Sequence, residues 1–198
     1  MKKGYLFSII ALTVLLILSG CKSDFEKVRI SGDPAKQLKA ADEYYEEGEF
    51  LKAQTLYELV LNSYRGRKEA TELFYRYANT HFELQSYITA AYYFETYTNK
   101  FPTSPFKQEA LYMAAISNYK LSPSYKLDQK YTQEAIDKFQ LFANTYPQSE
   151  KIEQINEYID ELRFKLQKKA IAGAELYYGM EAYKAAVRTY EHVLQDFP

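Results

Sequence analysis

The sequence contains no tryptophan, one cysteine and two histidines. The absence of tryptophan excludes a Trp-lined sugar platform. A single cysteine cannot close an internal disulfide, so the fold must rest on its packed core. His81 and His192 stand in distant segments with no ligand cluster around them, so no metal site is expected. Seven glycines and six prolines are few for an all-β chain. No G-x-S-x-G and no phosphate-cradling glycine loop occurs. Acid pairs such as Asp42/Glu46 and Glu157/Glu161 sit at i,i+4, the spacing of solvated helix faces. The sequence therefore predicts neither an enzyme nor a cofactor.

An excess of positive charge is missing as well. The formal net charge is -1. Residues 1–20 hold two lysines and no acid, which leaves 23 basic and 26 acidic residues, or -3, in the remainder. That balance does not suit a polyanion, and nucleic acid is not an expected partner. The run "KLQKK" at 165–169 reads as a solvated face, or as a contact for an acidic partner or lipid headgroups.

Long apolar runs are scarce too, with one at Tyr5–Leu18, broken only by Ser8 and Thr13. A bilayer-crossing helix needs about 20 apolar residues, so this run is short. Lys2 and Lys3 before it, and Ser19 and Gly20 after it, describe a secretory signal peptide over 1–20. Leu18-Ser19-Gly20-Cys21 resembles the bacterial lipobox. That likeness implies lipidation of the Cys21 thiol, cleavage before it and acylation of the new amino terminus. Several acyl chains on one residue meet the two-signal requirement for stable anchoring. The alternatives are a chance cysteine in a plain signal peptide and an uncleaved short anchor. Lys22 stands where an aspartate would resemble an inner-membrane retention signal, so the outer membrane is the expected address. Residues 21–33 then read as the lipidated cysteine and a flexible tether, with Ser23, Asp24, Ser31 and Gly32 in it.

Aromatics are abundant, with 21 tyrosines and 12 phenylalanines. They recur in a pattern. "NKFP" ends at Pro102, "NTYP" at Pro147 and "QDFP" at Pro198. Twelve residues before each proline stands an alanine, Ala90, Ala135 or Ala186. Eight before it stands Phe94, Phe139 or Tyr190, and five before it Tyr97, Phe142 or Val193. The first segment keeps Ala53, Tyr57 and Val60 without the proline. An alanine lets two helices cross closely, and large residues four and seven further on fill the groove beside it. The proline ends the second helix of each pair. Upstream segments with Ala78 and Ala115 supply first helices.

The pattern resembles the tetratricopeptide repeat. It predicts an all-α solenoid of helical hairpins, with four irregular copies over about 34–67, 71–105, 108–149 and 150–198. The diagnostic alanines are 37, 45 and 51 residues apart. The irregularity is an insertion at "SPSYKLDQKYT" (122–132) and one long helix over 150–179, marked by Ile152, Ile155, Ile159, Leu162 and Leu166. A solenoid ending at Phe197-Pro198 lacks a closing polar helix, so a further C-terminal repeat or cap is expected.

First helices line the concave face of such a solenoid. The candidates there are Leu38, Asp42 and Tyr45, then Tyr75, Asn79 and Phe82, then Tyr112, Ile116 and Tyr119. Aromatic area with interspersed polar groups suits a peptide. The alternative is that these residues pack only within and between repeats.

Lipobox, tether and irregular repeats together resemble the BamD family, also called ComL or YfiO. The resemblance is carried by "YPQSEKIEQINEYIDELRFKLQKKAIAGAELYYG" (146–179), "YKLDQKYTQEAIDKFQLFANTYP" (125–147) and "AELYYGMEAYKAAVRTYEHVLQDFP" (174–198). It implies a lipid-anchored scaffold on the periplasmic side of the outer membrane. Its implied partners are a BamA-like barrel protein, through that protein's periplasmic domains, and unfolded outer-membrane protein substrates. Rival readings are a Tol-Pal-associated envelope factor and a SusD-like glycan-binding lipoprotein. The absent tryptophan and the short chain count against the latter.

Overall fold

The computed structural model describes residues 23–197. Residues 1–20, the lipobox cysteine Cys21, Lys22 and Pro198 lie outside the described residues. The described residues form an all-α fold with no strand, built from helical hairpins of the tetratricopeptide type. The chain divides into two compact units, one ending at Ser63 and the other starting at Tyr64.

The first unit holds α1 (Asp24–Arg29), α2 (Pro34–Glu46) and α3 (Phe50–Val60). Helix α1 corrects the expectation of a flexible tether through residue 33. The Ser23 hydroxyl accepts the Glu26 N–H at 3.3 Å and caps the segment. Gln37 Nε2 donates to the Arg29 carbonyl at 2.9 Å, and the Phe25 ring meets Tyr44 edge to face at 5.7 Å. Serine and aspartate, read as tether residues, are thus helix-start residues here. Asp33 caps α2 by accepting the Ala35 N–H at 3.0 Å, and Pro34 takes the first helical position, where no N–H is needed.

The second unit holds α4 (Ala70–Glu83), α5 (Tyr87–Lys100), α6 (Lys107–Leu121), α7 (Lys130–Thr145), α8 (Ile152–Gly179) and α9 (Tyr183–Asp196). The 28 residues of α8 rise about 42 Å at 1.5 Å per residue.

Three of the hairpins turn the same way. Gly48 follows α2 with φ +76°, Gln85 follows α4 with φ +58°, and Glu181 follows α8 with φ +59°. In each, the next residue's N–H reaches back to a carbonyl five residues earlier: Glu49 to Tyr44, Ser86 to His81, Ala182 to Tyr177, all at 2.8–3.0 Å. This is the left-handed helix ending that glycine fits without strain. The α6–α7 hairpin has the 122–129 insertion instead. Before the prolines, Phe101, Tyr146 and Phe197 share one non-helical conformation, with φ near -130° and ψ near 70°. Their N–H groups still bond the carbonyls of Tyr97, Phe142 and Val193. The aromatic-Pro signature is therefore a repeated stop with one geometry.

The alanines are where the repeat requires them. Ala53, Ala90 and Ala135 are fully buried, as are Ala78 and Ala115, and Ala186 is nearly so. In the second unit a continuous core gathers Leu111, Ala115, Ile116, Ala135, Ile136, Phe139 and Phe142 with Ile155, Ile159 and Leu162 of α8. The three- and four-residue steps along α8 are thus the face it lays on α6 and α7.

Candidate functional site

None of the nine residues expected on the first-helix face is fully exposed. In the first unit, Leu38, Asp42 and Tyr45 are half-buried along α2. Asp42 accepts the Tyr57 hydroxyl at 2.8 Å, and the Tyr45 ring lies edge to face with Phe50 and Tyr57. Asp42 therefore serves as an acceptor for a buried phenol.

In the second unit the expected residues divide. Tyr75, Asn79 and Phe82 of α4 are half-buried. Tyr75 stacks on Phe106 at 5.1 Å and touches Phe94 and Tyr97, while Phe82 lies edge to face with Tyr87. On α6, Tyr112 and Ile116 are core residues. The Tyr112 hydroxyl donates to Gln154 Oε1 at 3.0 Å, and Lys151 Nζ stands 4.2 Å from its ring centre. Tyr119 donates to Glu161 Oε2 at 2.7 Å and packs on Tyr158 at 4.6 Å.

These arrangements explain the tyrosine chemistry. Burial pushes the Tyr112 phenol up to about 12, helped by the neighbouring Tyr158 and Glu109. The hydrogen bond to Glu161 pushes Tyr119 up to about 12, with burial adding to it. Both stay neutral donors at every physiological pH. They latch α6 to α8. Glu161, one of the i,i+4 acids, serves as the acceptor of that latch.

The two histidines have separate surroundings. His81 stacks on Tyr93 at 5.0 Å and meets Tyr77 edge to face at 4.9 Å. His192 is exposed beside Tyr177, Lys184 and Arg188. Among the described residues, no group of three His, Cys, Asp or Glu could hold a metal ion.

The "KLQKK" run is a different matter from the solvated face expected of it. Lys165 Nζ donates to Ser122 Oγ at 2.8 Å, and Lys169 Nζ donates to the Leu127 carbonyl at 2.6 Å. Lys168 Nζ lies 4.7 Å from the Tyr125 ring centre. Lys165 and, one turn further on, Lys168 and Lys169 thus clamp the insertion onto α8. Inside the insertion, buried Gln129 donates from Nε2 to the Ser124 and Leu127 carbonyls and accepts the Thr132 hydroxyl at 2.8 Å. The sequence carried one signal for this order. Asp128, two residues before α7, accepts the Lys130 N–H at 3.0 Å.

Among the described residues, no helix is long and apolar enough to cross a membrane. A family model described as YfiO, outer membrane lipoprotein, matches residues 31–198. A search of curated proteins gives no match.

Proposed function

The chain belongs to the YfiO family of outer membrane lipoproteins, and from that premise we propose that it is the lipid-anchored scaffold of a β-barrel assembly complex. In this reading Cys21 carries the lipid and holds the repeats on the periplasmic side of the outer membrane. The helical hairpins bind a BamA-like barrel protein through its periplasmic domains and receive unfolded outer-membrane proteins. No bond is made or broken. The observation that carries the reading is the family match across residues 31–198, which takes in every hairpin of the repeat region.

The half-buried residues on the first helices suit the receiving role. Leu38, Asp42 and Tyr45 in one unit, and Tyr75, Asn79, Phe82 and Tyr119 in the other, are partly accessible, and the tyrosine rings among them are held by packing on neighbouring rings. Rigid rings give contact area at little cost in conformational entropy. Tyr112 and Ile116 belong to the core and take no part.

The test is affinity capture of the full-length, membrane-extracted protein, with mass spectrometry of what accompanies it. A BamA-like barrel protein recovered in near-equal amount supports the proposal. A TonB-dependent transporter or a Tol-Pal component as the dominant partner overturns it. The anchor is tested separately, because Cys21→Ala should move the protein out of the membrane fraction.

A further inference from the structure

We propose that the 122–129 insertion is a membrane-contact element, which docks on an anionic phospholipid surface through Leu127 and the lysines around it. Lys120, Lys126 and Lys130 stand in the insertion or at its edges. Lys165, Lys168 and Lys169 reach it from α8. Acids are scarce there. None occurs at 110–127 or at 162–174. Asp128 lies inside the insertion, where it accepts the Lys130 N–H, and Glu134 pairs with Lys130 Nζ at 3.7 Å. An ammonium that donates to a carbonyl or a hydroxyl keeps its charge, so the clamp that orders the loop also concentrates positive charge on it. The chain beyond residue 20 is acidic on balance. An anionic surface therefore attracts this face and repels the rest.

The tip of the loop is fixed and apolar. The Leu127 N–H donates to the Ser124 carbonyl at 3.0 Å, which closes a four-residue turn. The Leu127 carbonyl accepts from Lys169 Nζ and Gln129 Nε2. The turn thus holds Leu127 outward, 61% exposed, beside exposed Lys126. Half-buried Tyr125 lies under Lys168. A turn already fixed loses little freedom on docking. A leucine can enter the boundary between headgroups and acyl chains, a tyrosine ring sits at headgroup level, and lysines reach the phosphates on long stems. The choice of cation favours lipid over an acidic protein. The cations in and against the insertion are all lysines, and lysine is depleted from protein–protein interfaces, where arginine is enriched. The inference goes beyond the barrel-assembly reading and rests only on the chain's membership of an outer membrane lipoprotein family.

The experiment uses the full-length protein purified from membranes, with Leu127→Cys labelled by the polarity-sensitive fluorophore NBD. The control is Ile88→Cys, an equally exposed apolar position at 60%, on α5. Each is mixed with excess vesicles of phosphatidylcholine alone or with about one-third phosphatidylglycerol. At position 127 the emission should shift to the blue in the anionic vesicles and be quenched by spin-labelled lipid. The shift should be lost in about 1 M salt, where screening acts within about 3 Å. Lys120→Gln with Lys126→Gln removes two charges that take no part in the bonds holding the loop. At about fivefold per lysine, the ratio of docked to free loop should fall about 25-fold. An equal shift at position 88, an equal shift in neutral vesicles, or a full shift in the double variant each overturns the proposal. No shift at position 127 in any vesicle also overturns it and leaves the charge to an acidic protein partner. The anchor is scored apart from the loop. The parent's single cysteine, Cys21, takes no label if it carries lipid. Labelling of the parent counts against the anchor, and the loop is then read as the difference from the parent.

Discussion

Helices α7 and α9 carry the same repeat signature and end in the same aromatic-Pro stop, yet their outer faces differ. On α7, Ala135, Phe139 and Phe142 are all fully buried, and Ile136 is nearly so. On α9, Ala186 and Val193 are buried, but Tyr190, the counterpart of Phe139, is 38% exposed, and Val187, the counterpart of Ile136, is 56% exposed. The aromatic four after the alanine meets the first helix of its own hairpin: Tyr57 lies against Tyr45, Phe94 against Tyr75 and Phe139 against Tyr119. In α7 the same ring also stacks on Tyr158 of α8, beside Ile155, Ile159 and Leu162. Nothing among the described residues covers α9 in that way. The burial of α7 beyond its own hairpin is therefore completed by α8, and α9 has no such cover among the described residues.

The sharpest way to break this comparison is to truncate the two equivalent rings. Phe139→Ala should cost about 3–5 kcal/mol, the usual loss for a buried phenylalanine. Tyr190→Ala in the same full-length protein should cost less than about 1 kcal/mol, as a partly exposed position does. Urea unfolding of both variants reads the difference directly. Equal losses would mean that α9 is as well covered in solution as α7.

How much of this was legible follows from where each signal comes from. The buried alanines, the aromatics beside them and the pre-proline stops are local consequences of helix geometry, so a periodic reading of the chain found them. The face of α8 was legible for the same reason, because Ile155, Ile159 and Leu162 follow a helical step. The first-helix candidates were placed on the right helices, but which of them reach the core depends on a second helix. Tyr112 and Ile116 sink because α7 and α8 close over α6, and no pattern within α6 announces it. The lysine clamp was invisible for a related reason. Lys165 and Lys169 find their acceptors more than forty residues away, in an insertion with no periodicity of its own. Helix α1 was misread because a capping serine and a tether serine look alike in sequence.

The insertion gives the next comparison, between a hairpin with a plain left-handed turn and one whose turn is replaced by an ordered loop. Its order hangs on Gln129, whose side chain bonds two carbonyls and a hydroxyl out of contact with water. Gln129→Ala leaves those groups unpaired and should cost about 1–3 kcal/mol. Hydrogen exchange should rise across 122–129 and the start of α7, and stay unchanged at the Gln85 turn. Uniform loss of protection across the second unit would instead make the loop part of the cooperative core.

Among the plain turns, Gly48 is the residue the geometry prefers, whereas Gln85 and Glu181 hold the same left-handed conformation with a side chain. A non-glycine residue there costs about 1–2 kcal/mol. Glycine also loses more freedom on folding, which returns part of that gain. Glu181→Gly should thus stabilise the protein by up to about 1 kcal/mol, and Gly48→Gln should destabilise it by a similar amount. Thermal melts of the two variants should move in opposite directions. Open space surrounds Gly48, so a clash cannot account for the loss.

The smallest effect at neutral pH is at the tyrosine latches, where the two tyrosine-rich first helices α4 and α6 differ. Tyr119 donates to a carboxylate, and Tyr75 stacks on Phe106. The Tyr119 latch is solvent-accessible, so Tyr119→Phe should cost under about 1 kcal/mol at pH 7. Alkali should remove its contribution. Tyr119 and Tyr112 lose their protons only near pH 12 when folded, but near 10 when unfolded. The unfolded chain then sheds protons first, so their contribution is intact below pH 10 and is lost as the pH rises from 10 towards 12. Unfolding measured across that window should show a weaker dependence on pH in Tyr119→Phe than in the parent. An unchanged slope would mean that Glu161 does not hold the phenol in solution.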